Sequence, residues 1–274
     1  MTILRTLILA SLLLAGLGLG SARAQDMIDQ RGERLGTIDT LMQNFRIMAF
    51  EGGANFYRWR VPVRVTLIGE AAETYRGEVR GLLGEFSMLT GISFRLTEDA
   101  DEANMQIFFS ERACFQSAAV FAFARPQNVL CFTSTRSDGA GGITVAVTVI
   151  PEDLTPRASF SCLVHELMHA IGFRGHPLNT FDSALRNGIA AVRLTTNDRI
   201  LIRALYDPAL RPGGNSQNVL ATATTIVRNL LGEVQEATDP LDVLAMRTYE
   251  EPPPPPMVVP LVLPPKDPLS KDAP

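Results

Sequence analysis

Two periods of apolar residues run through the chain. Leu35, Ile38, Leu41, Met42 and Phe45 recur at spacings of three and four, predicting a helical stretch that the Gly52-Gly53 pair breaks. From Trp59 to Ile68 the spacing falls to two, with Val61, Val63, Val65 and Leu67 separated by polar residues, the pattern of a half-buried strand. Glu70 to Thr90 returns to the helical period, carrying Tyr75, Val79, Leu82, Leu83, Phe86 and Leu89 on one side, and Gly91 stops it. Ile92 to Leu96 and Met105 to Phe109 read as two more strands around an acidic turn, Glu98 to Glu102. The stretch Ser110 to Gly142 follows neither period and is expected to be a hairpin or a covering loop. Gly142 to Ile150 alternates around Ile143, Val145, Val147 and Val149 as the clearest strand. Arg157 to Ile171 is then a helix with apolar residues on most of its circumference, which only a buried helix tolerates. Thr195 and Asp198 open a further capped helix ending at Asp207-Pro208, and residues 216–235 predict a final one. Strands mixed with helices, followed by a helical C-terminal part, make the expected fold class α+β, with a mixed sheet packed on the buried helix.

That buried helix carries the chemistry. The protein has three histidines, and all of them, His165, His169 and His176, fall in the segment His165-Glu166-Leu167-Met168-His169 to Gly175-His176. Two histidines at i and i+4 project from one helical face, the H-E-x-x-H spacing at which two neutral imidazoles share one Zn²⁺. Glu166 then stands beside the open coordination position as general base. Gly172 lies where the helix could end with φ > 0, letting the chain reverse and return His176 as third ligand. Asp182, then Asp198 or Asp207, compete with His176 for that role. With every histidine in one cluster, no base remains for a Ser-His-Asp or Cys-His arrangement.

Composition narrows the setting. The formal net charge of −4 offers no electrostatic footprint for a nucleic acid. Residues 1–24 read as a signal peptide: Arg5, an apolar run from Leu7 to Leu19, and Ala22-Arg23-Ala24 before the cleavage point. The expected mature protein is therefore exported, to the periplasm or the medium, with no membrane span. Residues 25–56 form an N-terminal lead-in, which an ordinary subdomain or a propeptide would explain, and residues 57–250 a catalytic domain. Residues 251–274 form a proline-rich tail outside the fold. Export permits one disulfide among Cys114, Cys131 and Cys162. Cys162 precedes His165 by three residues, so it is either a disulfide partner pinning the helix or a thiolate near the histidines.

From the Val145 strand through the His165 helix to Leu194-Thr195-Thr196-Asn197-Asp198 and Ala204 to Gly213, the sequence resembles an uncharacterised family of exported bacterial proteins related to the zincin peptidases. The resemblance implies a zincin-like metallopeptidase fold with a strand edge above the metal helix. On that basis Ile143 to Val149 is either the substrate-binding edge or an inner strand. In the related metzincins the third histidine falls three residues after the glycine; here His176 falls four after. A metzincin-like Met-turn would have to use Met246, with Tyr249 or Tyr206 as oxyanion donor. The reading that follows is an exported zinc metallopeptidase, a hydrolase acting on a protein or peptide substrate. A non-peptide amide such as a cell-wall cross-link is the variant on this reading. The alternative is a zincin-fold binding module whose metal is structural or vestigial.

Overall fold

The structure, a computed structural model, describes residues 27–28, 32–51, 55–115, 129–188, 191–214 and 216–246. The signal peptide, the proline-rich tail, Tyr249 and Gly52-Gly53 lie outside the described residues, as does the middle of the stretch expected to be a hairpin or covering loop. Among those described, no helix is long and apolar enough to cross a membrane.

The chain opens with a small antiparallel pair, β1 (Met27–Ile28) and β2 (Arg34–Leu35), and helix α1 (Ile38–Phe50). It then builds a six-stranded sheet with one α-helix laid in: β3 (Arg58–Trp59), β4 (Val63–Ile68), α2 (Ala72–Thr90), β5 (Phe94–Leu96), β6 (Met105–Ser110), β7 (Phe132–Ser137) and β8 (Gly142–Pro151). Helices α3 (Pro156–Ala170), α4 (Thr196–Leu205), α5 (Ser216–Glu236) and α6 (Pro240–Leu244) complete it. Strands β5, β4, β6 and β8 run parallel in that order, and β7 closes the far side of β8 antiparallel. Short β3 runs parallel to the first residues of β8, on the same edge as β6. The fold is thus a mixed α/β arrangement, mostly parallel, with one antiparallel edge.

One expectation changes here, and one open alternative is decided. The predicted strand Trp59 to Ile68 is broken around Pro62, which cannot donate to a ladder. Its two parts pair with different partners, β3 with β8 and β4 with β5 and β6. The segment Ile143 to Val149 is an inner strand, flanked by β6 and β7. The exposed edge belongs to β7, whose sequence Phe-Thr-Ser-Thr-Arg-Ser has too few apolar residues to reveal a strand.

A bulge opposite Arg136 and Ser137 also shifts the phase of β8. Ile143, Ala146 and Ile150 face the main core, whereas Val147 and Val149 join Phe108, Phe115 and Phe132 in a smaller cluster. The main core unites α1, α2, α3, α4 and α5 with the sheet: Leu41, Phe45, Met48, Trp59, Phe86, Leu163, Leu167 and Leu201 are all fully buried. Helix α1 therefore packs in the same core as α3.

Candidate metal centre

Helix α3 starts where Thr155 caps it and Pro156 occupies the first turn, a position that needs no N–H. Ser159, Cys162, Leu163, Val164, Glu166, Leu167, Met168 and Ala170 are buried, so the helix is enclosed on nearly every side. Its last carbonyls are satisfied by side chains: Trp59 Nε1 donates to Ala170 O at 2.9 Å and the Tyr206 hydroxyl to Ile171 O at 2.8 Å. The same hydroxyl accepts from Trp59 N, and burial raises its pKa. Tyr206 is a structural clamp on the helix end rather than an oxyanion donor.

Gly172 then turns the chain at φ 122°. A Cβ at that position would stand 2.1 Å from the Tyr57 carbonyl oxygen, so close approach as well as φ demands glycine. The loop that follows is held by α1. Arg174 N and Gly175 N both donate to Met48 O, at 2.7 and 3.0 Å, and Leu178 N donates to Asn44 Oδ1 at 2.9 Å. His176 lies between these anchors.

The three imidazoles meet at their Nε2 atoms. His176 Nε2 is 3.2 Å from that of His165 and 3.3 Å from that of His169. The remaining nitrogens of His165 and His169 face backbone carbonyls, Nδ1 of His165 at 3.1 Å from Ala184 O and Nδ1 of His169 at 2.6 Å from Phe173 O. A carbonyl only accepts, so both Nδ1 atoms carry the proton and both Nε2 atoms offer lone pairs inward. Burial, reinforced by neighbouring imidazoles, pulls the pKa of His165 down to about 4 and that of His169 to about 3, and burial lowers that of His176 against the pull of Glu51. All three rings are neutral at pH 7, the state in which imidazole ligates a metal.

This donor set fits Zn²⁺. Bonds of ~2.05 Å in a tetrahedral shell separate neighbouring ligand atoms by roughly 3.3 Å, and the nitrogens around His176 already stand at 3.2 and 3.3 Å. Beside them, Glu166 is 4% exposed, and its Oε2 has no hydrogen-bond partner. Burial pushes this carboxyl up to about 8, with the Thr133 hydroxyl pulling the other way. A carboxylate enclosed without a partner is costly unless something cationic or hydrogen-bearing meets it.

The donors expected to compete with His176 are engaged or remote. Asp198 is fully buried but accepts from Ser183 Oγ, Ala184 N and Thr195 N, closing the capping box of α4 with Thr195. Asp207 accepts from Arg203 Nη1 and Ala209 N. Asp182 is exposed, and among the described residues the histidines form a metal-competent group without it. Cys162 is bonded to Cys131, which leaves no thiolate there, and Cys114 is free and exposed. Met246 packs against Gly91 and donates to Met88 O, away from the expected Met-turn position.

Sequence reasoning missed two supports of this site. One is the carbonyl of Ala184, which orients His165 across 19 residues of sequence. The other is β7, which with Cys131 walls the cleft above the histidines. Thr133 Oγ1 donates to the Glu166 carbonyl at 3.0 Å, and the Cys131–Cys162 disulfide joins the same strand's approach to the same helix. The cleft, about 800 Å³, is lined by 129–135, the three histidines, Glu166, Phe173, Arg174 and Arg186 to Gly188.

Comparison with known proteins adds a family. No curated protein matches the chain. Among solved structures, the crystal structure of myroilysin, a metallopeptidase, aligns over 80% of each chain at 14% identity with a TM-score of 0.28, a likeness too distant to decide fold or function. Residues 41–225, which hold the whole histidine cluster and its supports from α1 to α4, match the family described as "Protein of unknown function (DUF2927)", and the chain belongs to it.

Proposed function

We propose that this protein is an exported zinc-dependent metallopeptidase of zincin type, hydrolysing peptide bonds in a protein or peptide substrate. The observation that carries the reading is the convergence of three neutral Nε2 atoms beside a buried carboxylate with an unpartnered oxygen. His165, His169 and His176 would hold the ion. Zinc in such a site supplies Lewis-acid polarisation of the scissile carbonyl and of the attacking water. Glu166 would take the proton from the attacking water and deliver it to the leaving amine. A cation held by the neighbouring histidines would favour the ionised carboxylate, the form able to accept that proton. Helix α3, stitched to β7 through Thr133 and the disulfide, keeps Glu166 and the two helix-borne imidazoles in one fixed relation.

The binding-module alternative needs a closed coordination shell. Of the fourth donors that would serve it, Cys162 is disulfide-bonded and Asp182 is exposed, and among the described residues no fourth donor joins the three histidines, which supports an open position. Elemental analysis of the mature protein tests the metal first: about one zinc per chain is expected, and His169→Ala should abolish it. Retention of stoichiometric zinc in that variant would overturn the ligand assignment.

A further inference from the structure

Building on the metallopeptidase reading, we infer that the cleft selects substrates that present a carboxylate, which Arg174 and Arg186 receive beside the histidines.

The inference begins with sign. The chain as a whole is acidic, with 25 basic against 29 acidic residues. Among the described residues the cleft wall reverses this balance: it carries Arg174 and Arg186, and its one acid is Glu166, which is buried at the base. A guanidinium is the side chain best matched to a carboxylate, since its planar fork donates two parallel hydrogen bonds.

Both arginines are held in place without being neutralised. Arg174 sits two residues before His176, its backbone N fixed to Met48 O. Its guanidinium lies 5.1 Å from the centroid of the Tyr57 ring, a contact that orients the group without satisfying its donors. Arg186 is half-buried and donates Nη1 to Asn179 O at 2.9 Å, a neutral acceptor. Among the described residues neither pairs with a carboxylate, and they are the two arginines that line the histidine cleft. Glu51, whose carboxylate lies over Gly175, makes no ion pair with Arg174 among the described residues. Two oriented cations in one cleft therefore have donors to spare, and a substrate carboxylate supplies what the fold does not.

That carboxylate has two sources, an acidic side chain near the scissile bond or the C-terminus of the substrate. Both present the same chemistry to a guanidinium, and three peptide series separate them. The first has an internal Asp or Glu and an amidated end, the second no acid and a free C-terminus, and the third neither.

The experiment measures binding of the three fluorescent series to the zinc-loaded full chain carrying Glu166→Gln, beside cleavage by the unmodified protein. One carboxylate series should bind at least about tenfold more tightly than the neutral series, the scale of one charge-assisted pair. The preference should shrink between roughly 0.05 and 0.5 M salt, because exposed charges are screened. Arg174→Gln and Arg186→Gln should each reduce it with zinc content unchanged. The Lys variants should restore part of it, and Arg186→Glu should turn it towards peptides bearing lysine. Tighter binding by the first series assigns the carboxylate to a side chain, and by the second to the C-terminus. Equal binding by all three series, no binding by any, or a preference that survives both Gln substitutions overturns the inference. Rapid cleavage of the neutral series would leave hydrolysis standing and remove the selectivity. Tight carboxylate binding with no cleavage of any peptide would instead leave the selectivity and remove hydrolysis.

Discussion

Glu166 and Asp198 are both buried carboxylates, 4% and 0% exposed, on helices of one core. Their surroundings differ in one respect. Asp198 receives hydrogen bonds from Ser183 Oγ, Ala184 N, Thr195 N and Thr195 Oγ1, filling its acceptor capacity with the fold's own donors. Glu166 keeps one oxygen without any. Burial alone therefore does not mark a functional acid. What sets Glu166 apart is that its unmet hydrogen-bonding capacity lies beside the histidine cluster, where the proposed ion and its water would meet it.

Substitution at the two acids should separate these roles cleanly. Glu166→Gln is expected to lower peptide turnover by about 10²- to 10⁴-fold, the usual worth of a general base, with zinc retained and unfolding in urea little changed. Turnover near the unmodified level would remove Glu166 from the mechanism. Asp198→Ala should do the reverse. It strands the Ser183 hydroxyl and the Ala184 and Thr195 amides, at a cost of about 3–5 kcal/mol in the same urea titration. A loss under 1 kcal/mol would show that the capping box contributes less than its bonding suggests.

Smaller changes test how firmly Glu166 is seated. Cys131→Ser with Cys162→Ser opens a link between residues 31 apart in sequence. It should cost about 3 kcal/mol, read as a drop in melting temperature that reductant reproduces in the unmodified protein. Thr133→Val removes one donor to the Glu166 carbonyl and one partner of Thr148 Oγ1. About 1 kcal/mol is expected from that change, and an unchanged melting curve would argue that the disulfide alone joins β7 to the helix.

Local signals made much of this architecture readable. The spacing of His165 and His169, the turn at Gly172, the stop at Gly91 and the Thr195–Asp198 cap all express forces acting over a few residues. The structure places each within a residue or two of its expected position. The predicted helices at 157–171 and 216–235 appear as α3 and α5 with ends shifted by one residue. Position across the sheet was not readable, because strand order depends on pairings between distant segments. Val145, Val147 and Val149 alternate equally well in an edge strand or an inner one. The seat of His165 was illegible for the same reason: a backbone carbonyl carries no residue signature. Helix α6 was missed although Asp239-Pro240 is an N-cap followed by proline at the first turn.

The Met48 carbonyl, which receives both Arg174 N and Gly175 N, gives the N-terminal helix a stake in the histidine cluster. Helix α1 supplies no ligand, yet it governs where the third imidazole waits. Removing residues 25–50 as though they were a propeptide would delete no histidine and would still leave His176 untethered. The centre would then decay to the two-point grip of α3, which releases its ion far more readily than three points do. On the proposed reading the N-terminal helix would be a latch on the metal, and any processing that spared catalysis would have to spare it.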